Sequence, residues 1–504
     1  MAKLKYITTG WLTILCFLLG SCNSWLEVTP EDRIMENDLF VDGEGYLKAL
    51  SGVYSELNSA SLYGRNLTMG MLDVMAQYYS AGGIENHSFE LYAKYDYGQS
   101  GYKSRLNTIW SGLYELIANC NVIIEKCGDE NPLLTKTEWA LIKGEALALR
   151  GMLHFDLLRM FGPVYRDETK ATKCMPYMVS ADRLVQPLLS AEEILGRVIG
   201  DLQAAEGLLK DYDPVIQTGA VAYGDANIAM SYRQYRLNYF AVKALLARAY
   251  LWGNDRVSAR QYAVDVITAC QQEGAELFPF VTREALFERN KYPDRMFSTE
   301  VLFSAYNSSR VTSFNDMFAS TLSATSLLTL TGGYGGFRME ELYDSEEDYR
   351  KSMWNTAIVN SNEVLYFQKY QDVTDSKDIS AAYRYMIPLL RISEMYLIAA
   401  ECTDNVEEAA RLYLNKLRLH RGCIDYQVDD QDFLQYLITA EFRREFLGEG
   451  QMFFYYKRKG METIPEGKNA SGNMNMELEN YVFPLPESET SQRTDINKDK
   501  NTEE

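Results

Sequence analysis

Along most of the chain, apolar residues recur at steps of three and four. Trp139, Ile142, Ala146, Leu149, Leu153, Leu157 and Met160 would line one face of a long helix. Thr135 with Glu138 supplies a capping-box start and Gly162-Pro163 a stop. A second helix carries Ile109, Leu113, Ile117, Cys120 and Ile124, with Trp110 and Tyr114 beside that stripe. The same periodicity predicts helices near 44–58, 190–209, 234–252, 256–272, 388–402, 405–420 and 430–447. They come in pairs. Two pairs, within 244–269 and 394–418, have the texture of tetratricopeptide repeats: small residues on the first helix, a short polar turn, then Ala and Tyr at helical spacing. One such pair cannot bury its own face, so stacking on the earlier helices is implied. The pattern predicts a mainly α fold, a tetratricopeptide-like helical-repeat scaffold. Segments 63–103, 164–188, 212–232 and 274–387 interrupt it; they are rich in Tyr, Gly, Ser and Asp, and long insertions of this kind often carry the ligand face.

The N-terminus has a different pattern. Lys3 and Lys5 precede an apolar stretch from Tyr6 to Leu19, and Leu19-Gly20-Ser21 places small residues directly before Cys22. The apolar core is too short to span a bilayer comfortably, and the small residues mark a cleavage point. Residues 1–21 are therefore expected to be a lipoprotein signal peptide, and 22–504 one domain. Cys22 is the expected lipidation site, which would tie the chain to a membrane through the lipid anchor only.

Charge narrows the function. Fifty Lys+Arg against 70 Asp+Glu give a net charge of -20 with no basic patch, so no nucleic acid is expected as partner. Only three histidines occur, His87, His154 and His420, and no HExxH or CxxC pair, so no metal is expected. His154, on an apolar helix, reads as a satisfied core histidine. Asp372, Asp375 and Asp378 miss the calcium-loop spacing and read as a solvated turn. Cys120, Cys127, Cys174, Cys270, Cys402 and Cys423 fall in apolar patterns and read as buried free thiols. No nucleophile elbow, phosphate loop or dinucleotide fingerprint is present, so no catalytic residue and no cofactor are assigned.

Several blocks, taken together, resemble the SusD/RagB family of surface nutrient-binding lipoproteins of Bacteroidetes. They are the lipobox with "WLEVTPEDRI", "IWSGLYELIANCNVII" from Ile109, "KGEALALRGMLHFDLLRMFGPV" from Lys143, "LLRISEMYLIAAEC" from Leu389, "LNKLRLHRG" from Leu414, "AEFRREFLGEGQMFFYYKR" from Ala440 and "YVFPLPESE" from Tyr481. In the C-terminal block Glu441, Glu445, Glu449, Gly450 and Arg458 fit the family's commonest pattern, while Phe442, Gly448, Met452 and Tyr455 depart from it. The resemblance implies a non-catalytic protein, lipid-anchored at the surface of the outer membrane, that passes a nutrient to a SusC-like TonB-dependent transporter. An oligosaccharide is the expected ligand. A peptide, as for RagB, and a tetratricopeptide adaptor without small ligand are the alternatives. Glu441, Arg444, Glu445 and Glu449 are three to five residues apart and are expected to form an ion network on a helix surface.

Tyrosine outnumbers phenylalanine 36 to 21, an excess of rings that are apolar on the face and polar at the tip. A pyranose offers a flat C–H face to such rings. Tyr92, Tyr95, Tyr97 and Tyr102, interleaved with Lys94, Asp96 and Gln99, form the first ligand-binding candidate, in a region that carries ligand contacts in the family. In an extended segment Tyr95 and Tyr97 would share a face. Tyr334, between Gly332-Gly333 and Gly335-Gly336, is the second, with Trp354 beyond it.

Overall fold

The computed structural model describes residues 38–182, 184–221, 231–287, 293–332, 336–373, 382–491 and 493. The signal segment, Cys22, Tyr334, Asp375 and Asp378 lie outside them. The long helices follow their sequence signals: α1 Gly43–Leu57, α2 Ser100–Cys127 and α3 Lys136–Phe161. At the head of α3 the capping box forms. Thr135 Oγ1 accepts the Glu138 N–H at 3.2 Å while the Glu138 carboxylate accepts the Thr135 N–H at 2.9 Å.

The one-face reading of α3 needs correction. From Ala140 to Phe161 every residue but Lys143 is buried, because α1, α2 and α4 (Ala191–Leu209) enclose it. Its charged residues are consequently paired: Glu145 with Arg233 at 2.6 Å, Arg150 with Asp201 at 2.6 Å, and Asp156 with Arg159. Gly144 and Gly151 let α4 come close. A Cβ on either would lie 3.0 Å from Leu209 or 3.2 Å from Leu202. His154 is neutral and satisfied: Nδ1 bonds the Arg150 carbonyl at 2.9 Å, Nε2 accepts the Met178 N–H at 3.0 Å, and burial lowers its pKa to about 3.

The later helices continue the layer. α5 (Tyr239–Trp252) packs on α6 (Arg256–Cys270), and α6 packs on a helix that begins at Ile392. This stacking of pairs is consistent with the repeat reading. Among the described residues four short antiparallel sheets interrupt the helices, the most buried of them pairing β1 (Val301–Tyr306) with β2 (Met386–Arg391). The helix expected from 388 therefore starts later, as α7, Ile392–Cys402. Pro388 lacks an N–H, and the fully buried run through Leu390 suits a strand pressed between layers. The run after it is broken by a π turn at Ala410–Leu414, between Val406–Ala409 and Asn415–Leu419.

A second correction concerns the charges of α8 (Gln431–Glu445) and the turn after it. Glu441, Arg444, Glu445 and Glu449 are buried, not on a surface. Glu445 meets Arg421 at 2.6 Å and Arg350 at 2.9 Å, Glu441 meets Arg350 at 2.6 Å and Arg418 and Arg444 at 3.0 Å, and Glu449 meets Arg391 at 2.9 Å. Glu300 and Asp348 complete the cluster through Arg421 and Arg350. Burial alone would raise the carboxylates. The arginines outweigh it, holding Glu441 at about 2 and Glu445 well below the usual range. Helix spacing showed the charges but not their distant arginine partners, four residues from three other segments, at 350, 391 and 418–421. Removing one member would leave a buried charge uncompensated, at a cost of about 3–5 kcal/mol.

Near and far parts of the chain share this core. The buried Asp73 carboxylate accepts the N–H groups of Gly448 and Gly450, Tyr78 Oη donates to the Arg443 carbonyl at 2.6 Å, and the Phe483 N–H donates to the Met160 carbonyl at 3.0 Å. Gly450 sits at φ +69°, with the Leu67 carbonyl 2.4 Å from where a Cβ would stand. The six cysteines among the described residues are free and buried, and burial pushes each thiol pKa up, that of Cys120 to about 12. Among the described residues no helix is long and apolar enough to cross a membrane.

Candidate functional site

The tyrosines singled out in 92–102 turn inward. Residues Glu90–Ala93 form one helical turn and Tyr95 has φ +54°, so the segment is not extended and Tyr95 and Tyr97 share no exposed face. Tyr95 is 7 % exposed; its hydroxyl donates to the Met75 carbonyl and accepts from Gln77 Nε2 at 3.3 Å. Tyr97 Oη donates to the Asn480 carbonyl at 2.6 Å. Tyr102 is wholly buried, with the rings of Tyr92 and Tyr97 each 4.8 Å away edge-on. These four rings form an internal layer that fastens the start of α2 to the C-terminal segment. Trp354 is buried as well, its Nε1 donating to Tyr343 Oη at 3.0 Å. For Tyr95, Tyr97, Tyr102 and Trp354 the physical reason is the same: each polar tip finds a backbone or side-chain partner inside, Tyr102 Oη donating to Met75 Sδ at 3.1 Å, so burying the ring leaves no orphaned group.

A different set of tyrosines lies at the surface, two exposed and two half-buried. β1 reads Val301-Leu302-Phe303-Ser304-Ala305-Tyr306, buried throughout until Tyr306, which is 49 % exposed where the strand leaves the core. Tyr385, just before β2, lies beside it with ring centroids 5.3 Å apart, and Tyr235 flanks the other side, also at 5.3 Å. Tyr232, 50 % exposed, extends the patch. The turn Arg233–Tyr235 that presents Tyr235 is fixed from below. Gln234 Nε2 donates to the Ser298 and Val301 carbonyls at 2.7 Å each, and Arg233 grips Asp213 and Glu145. Polar groups border the rings: Arg384 lies over the Tyr385 ring at 5.3 Å and forks onto Asp372 at 3.2 and 3.0 Å.

Below the patch, Arg310 opens the helix Arg310–Phe318 and is 1 % exposed. Its Nη1 donates to the carbonyls of Tyr383 and Met386 at 3.0 and 3.1 Å. Arg295 is half-buried and reaches the Gln368 carbonyl at 3.5 Å. Rings that offer a flat face, beside a carboxylate and guanidinium groups that offer hydrogen bonds, are what a sugar's C–H face and hydroxyls require.

A larger concavity, about 1980 Å³, lies elsewhere, between α1, α2 and the 176–186 loop. Its three rings are engaged in packing: Phe40 lies edge-on to Tyr46 at 4.8 Å, Trp110 and Tyr114 sit 4.8 Å apart, and Tyr114 Oη donates to the Pro176 carbonyl at 2.8 Å. Neither place holds a histidine. His87 bonds the Leu327 carbonyl and His420 stacks on Phe280. Sequence reading missed Tyr232, Tyr235, Tyr306 and Tyr385 because they come from segments up to about 150 residues apart, brought together by the pairing of β1 with β2 and by the bonds of Gln234 to Ser298 and Val301. The one local signal was the apolar run of β1 ending on a tyrosine.

Comparison with known proteins agrees with this architecture. A family model described as "Starch-binding associating with outer membrane" matches residues 24–222, and the "SusD family" model matches residues 334–501. SusD-like protein P38 of Formosa agariphila is 25% identical over 89% of this chain and 90% of its own length; SusD-like protein P2 of the same organism is 24% identical over 98% of both. Among solved structures, a SusD superfamily protein from Bacteroides thetaiotaomicron superposes with a TM-score of 0.68 at 22% identity, covering 90% of this chain and 98% of that one. A SusD-like carbohydrate binding protein from Bacteroides vulgatus gives 0.66 at 20% identity, covering 91% and 98%. With two models of one family matching on either side of the middle, and solved members sharing the fold nearly end to end, the chain belongs to the SusD/RagB family.

Proposed function

We propose that this protein is a non-catalytic outer-membrane lipoprotein, acylated at Cys22, that captures an oligosaccharide on the Tyr232–Tyr235–Tyr306–Tyr385 patch and delivers it to a SusC-like TonB-dependent transporter. The observation that carries the reading is the patch itself. Four tyrosines gather around an exposed strand end, bordered by the Arg384–Asp372 pair, in a fold shared with a protein described as carbohydrate binding. Exposed aromatic clusters of this kind mark interaction surfaces, and burying them against a ligand returns the free energy lost to exposure.

The test is titration calorimetry of purified protein against a panel of oligosaccharides and peptides. Binding of at least one glycan, weakened by Tyr306→Ala at unchanged melting temperature, supports the reading. Binding of peptides alone replaces it with peptide uptake. For the anchor, Cys22→Ser is expected to move the protein from membrane to soluble fraction, and co-purification with a much larger β-barrel protein tests the transporter partnership.

A further inference from the structure

The arginines under the tyrosine patch differ from the other buried arginines of the molecule. Arg233, Arg350, Arg391 and Arg421 each touch one or more carboxylates. Arg310 and Arg295 form no ion pair among the described residues. Arg310 has two carbonyl acceptors and an Nε that is buried without a partner; Arg295 has one carbonyl at the limit of hydrogen-bond distance. The neighbouring Asp372 is already taken by the Arg384 fork. Burial lowers both guanidinium groups from their usual value, Arg310 to about 10, and the two repel one another. Positive charge held out of water without a counter-ion is unfavourable, and an anion arriving from outside relieves it.

We infer that the ligand taken on this patch is an anionic oligosaccharide, whose carboxylate or sulfate ester sits against Arg295 in the field of Arg310 while a sugar ring lies on Tyr306. This rests on the glycan reading above and narrows it to a ligand class. Arg295 is accessible enough for direct contact. Arg310 is sealed and acts through its charge, which a low-dielectric surround screens little.

The experiment compares charged chains with their own neutral forms: oligogalacturonate against the same chain after carboxyl reduction, and a sulfated galactan oligosaccharide against its desulfated form. At least one charged chain is expected to bind about tenfold or more tightly than its neutral counterpart, with the ratio falling at high ionic strength. Arg295→Gln is expected to bring that ratio toward one at an unchanged melting temperature. Arg310→Gln serves as the second variant where it folds. The two arms separate a carboxylate from a sulfate ester as the anion. Neutral chains that bind as well as or better than charged ones, or an Arg295→Gln protein that keeps the full charged-to-neutral ratio, overturn the anionic assignment and leave glycan capture standing. Failure of every glycan to bind overturns glycan capture and this inference with it.

Discussion

Two groups of tyrosines, alike in composition, have different fates here. Those at 92, 95, 97 and 102 lie within a dozen residues of one another and pack inward, Tyr95 and Tyr102 buried and Tyr92 and Tyr97 half-buried; those at 232, 235, 306 and 385 span about 150 residues and gather at the surface, Tyr232 and Tyr306 exposed and Tyr235 and Tyr385 half-buried. The difference is where each hydroxyl finds a partner. Tyr95 and Tyr97 reach backbone carbonyls of Met75 and Asn480, so their rings can be sealed without loss. Tyr306 stands at the first residue of β1 beyond the buried run, with water and two other rings for company. Local tyrosine density is therefore a poor guide to which rings stay exposed; Tyr306 is exposed because its strand leaves the core there.

The contrast can be broken in order of expected effect. Tyr102→Ala removes a fully buried ring and should destabilise the protein by about 3–5 kcal/mol, read from denaturant unfolding, while the remaining folded protein keeps its ligand affinity. A loss of affinity with unchanged stability would place the inner tyrosines back in the site.

Acid provides the next test, because the inner layer shares its core with the buried carboxylates. Glu441 has its pKa depressed from 4.5 to about 2, so its contribution is present above pH 4.5 and lost as pH falls toward 2. The melting temperature should drop steeply across that range, and Glu441→Gln should flatten the drop.

On the outer patch, Tyr306→Ala should weaken an identified ligand by about 1–2 kcal/mol, a ring's contact, with melting temperature unchanged. Tyr306→Phe should be nearly neutral, since stacking uses the face. A small effect, on stability alone, is expected for Tyr95→Phe. It removes one buried hydroxyl from between Met75 and Gln77 and should cost about 1 kcal/mol of stability and no affinity.

How much of this the sequence displayed depends on the range of the interaction. The helices were legible because periodicity and caps are local: Thr135 with Glu138 is a contact three residues long. The histidine at 154 was legible because an apolar helix leaves few alternatives. The charges at 441, 444, 445 and 449 were visible as a cluster but misplaced, since their partners at 350, 391, 418 and 421 come from other elements. The strand at 386–391 was hidden inside an apolar run that suits either helix or strand, and only pairing with β1 decides between them. The tyrosine patch was the least legible, being made wholly of long-range contacts.

The bonds from Asp73 to Gly448 and Gly450 have a consequence for the order of folding. During synthesis the segment around residue 73 leaves the ribosome long before the turn whose N–H groups donate to it exists, and the Met160 carbonyl likewise waits for Phe483. The early helices can coil and pair, but their buried polar groups stay wet until nearly the whole chain has emerged. Such high sequence separation makes folding slow and leaves apolar surface open meanwhile, so escort by a chaperone until the last fifty or so residues arrive is the natural requirement of this topology. Loss of those residues should therefore yield an aggregating chain rather than a shorter native one.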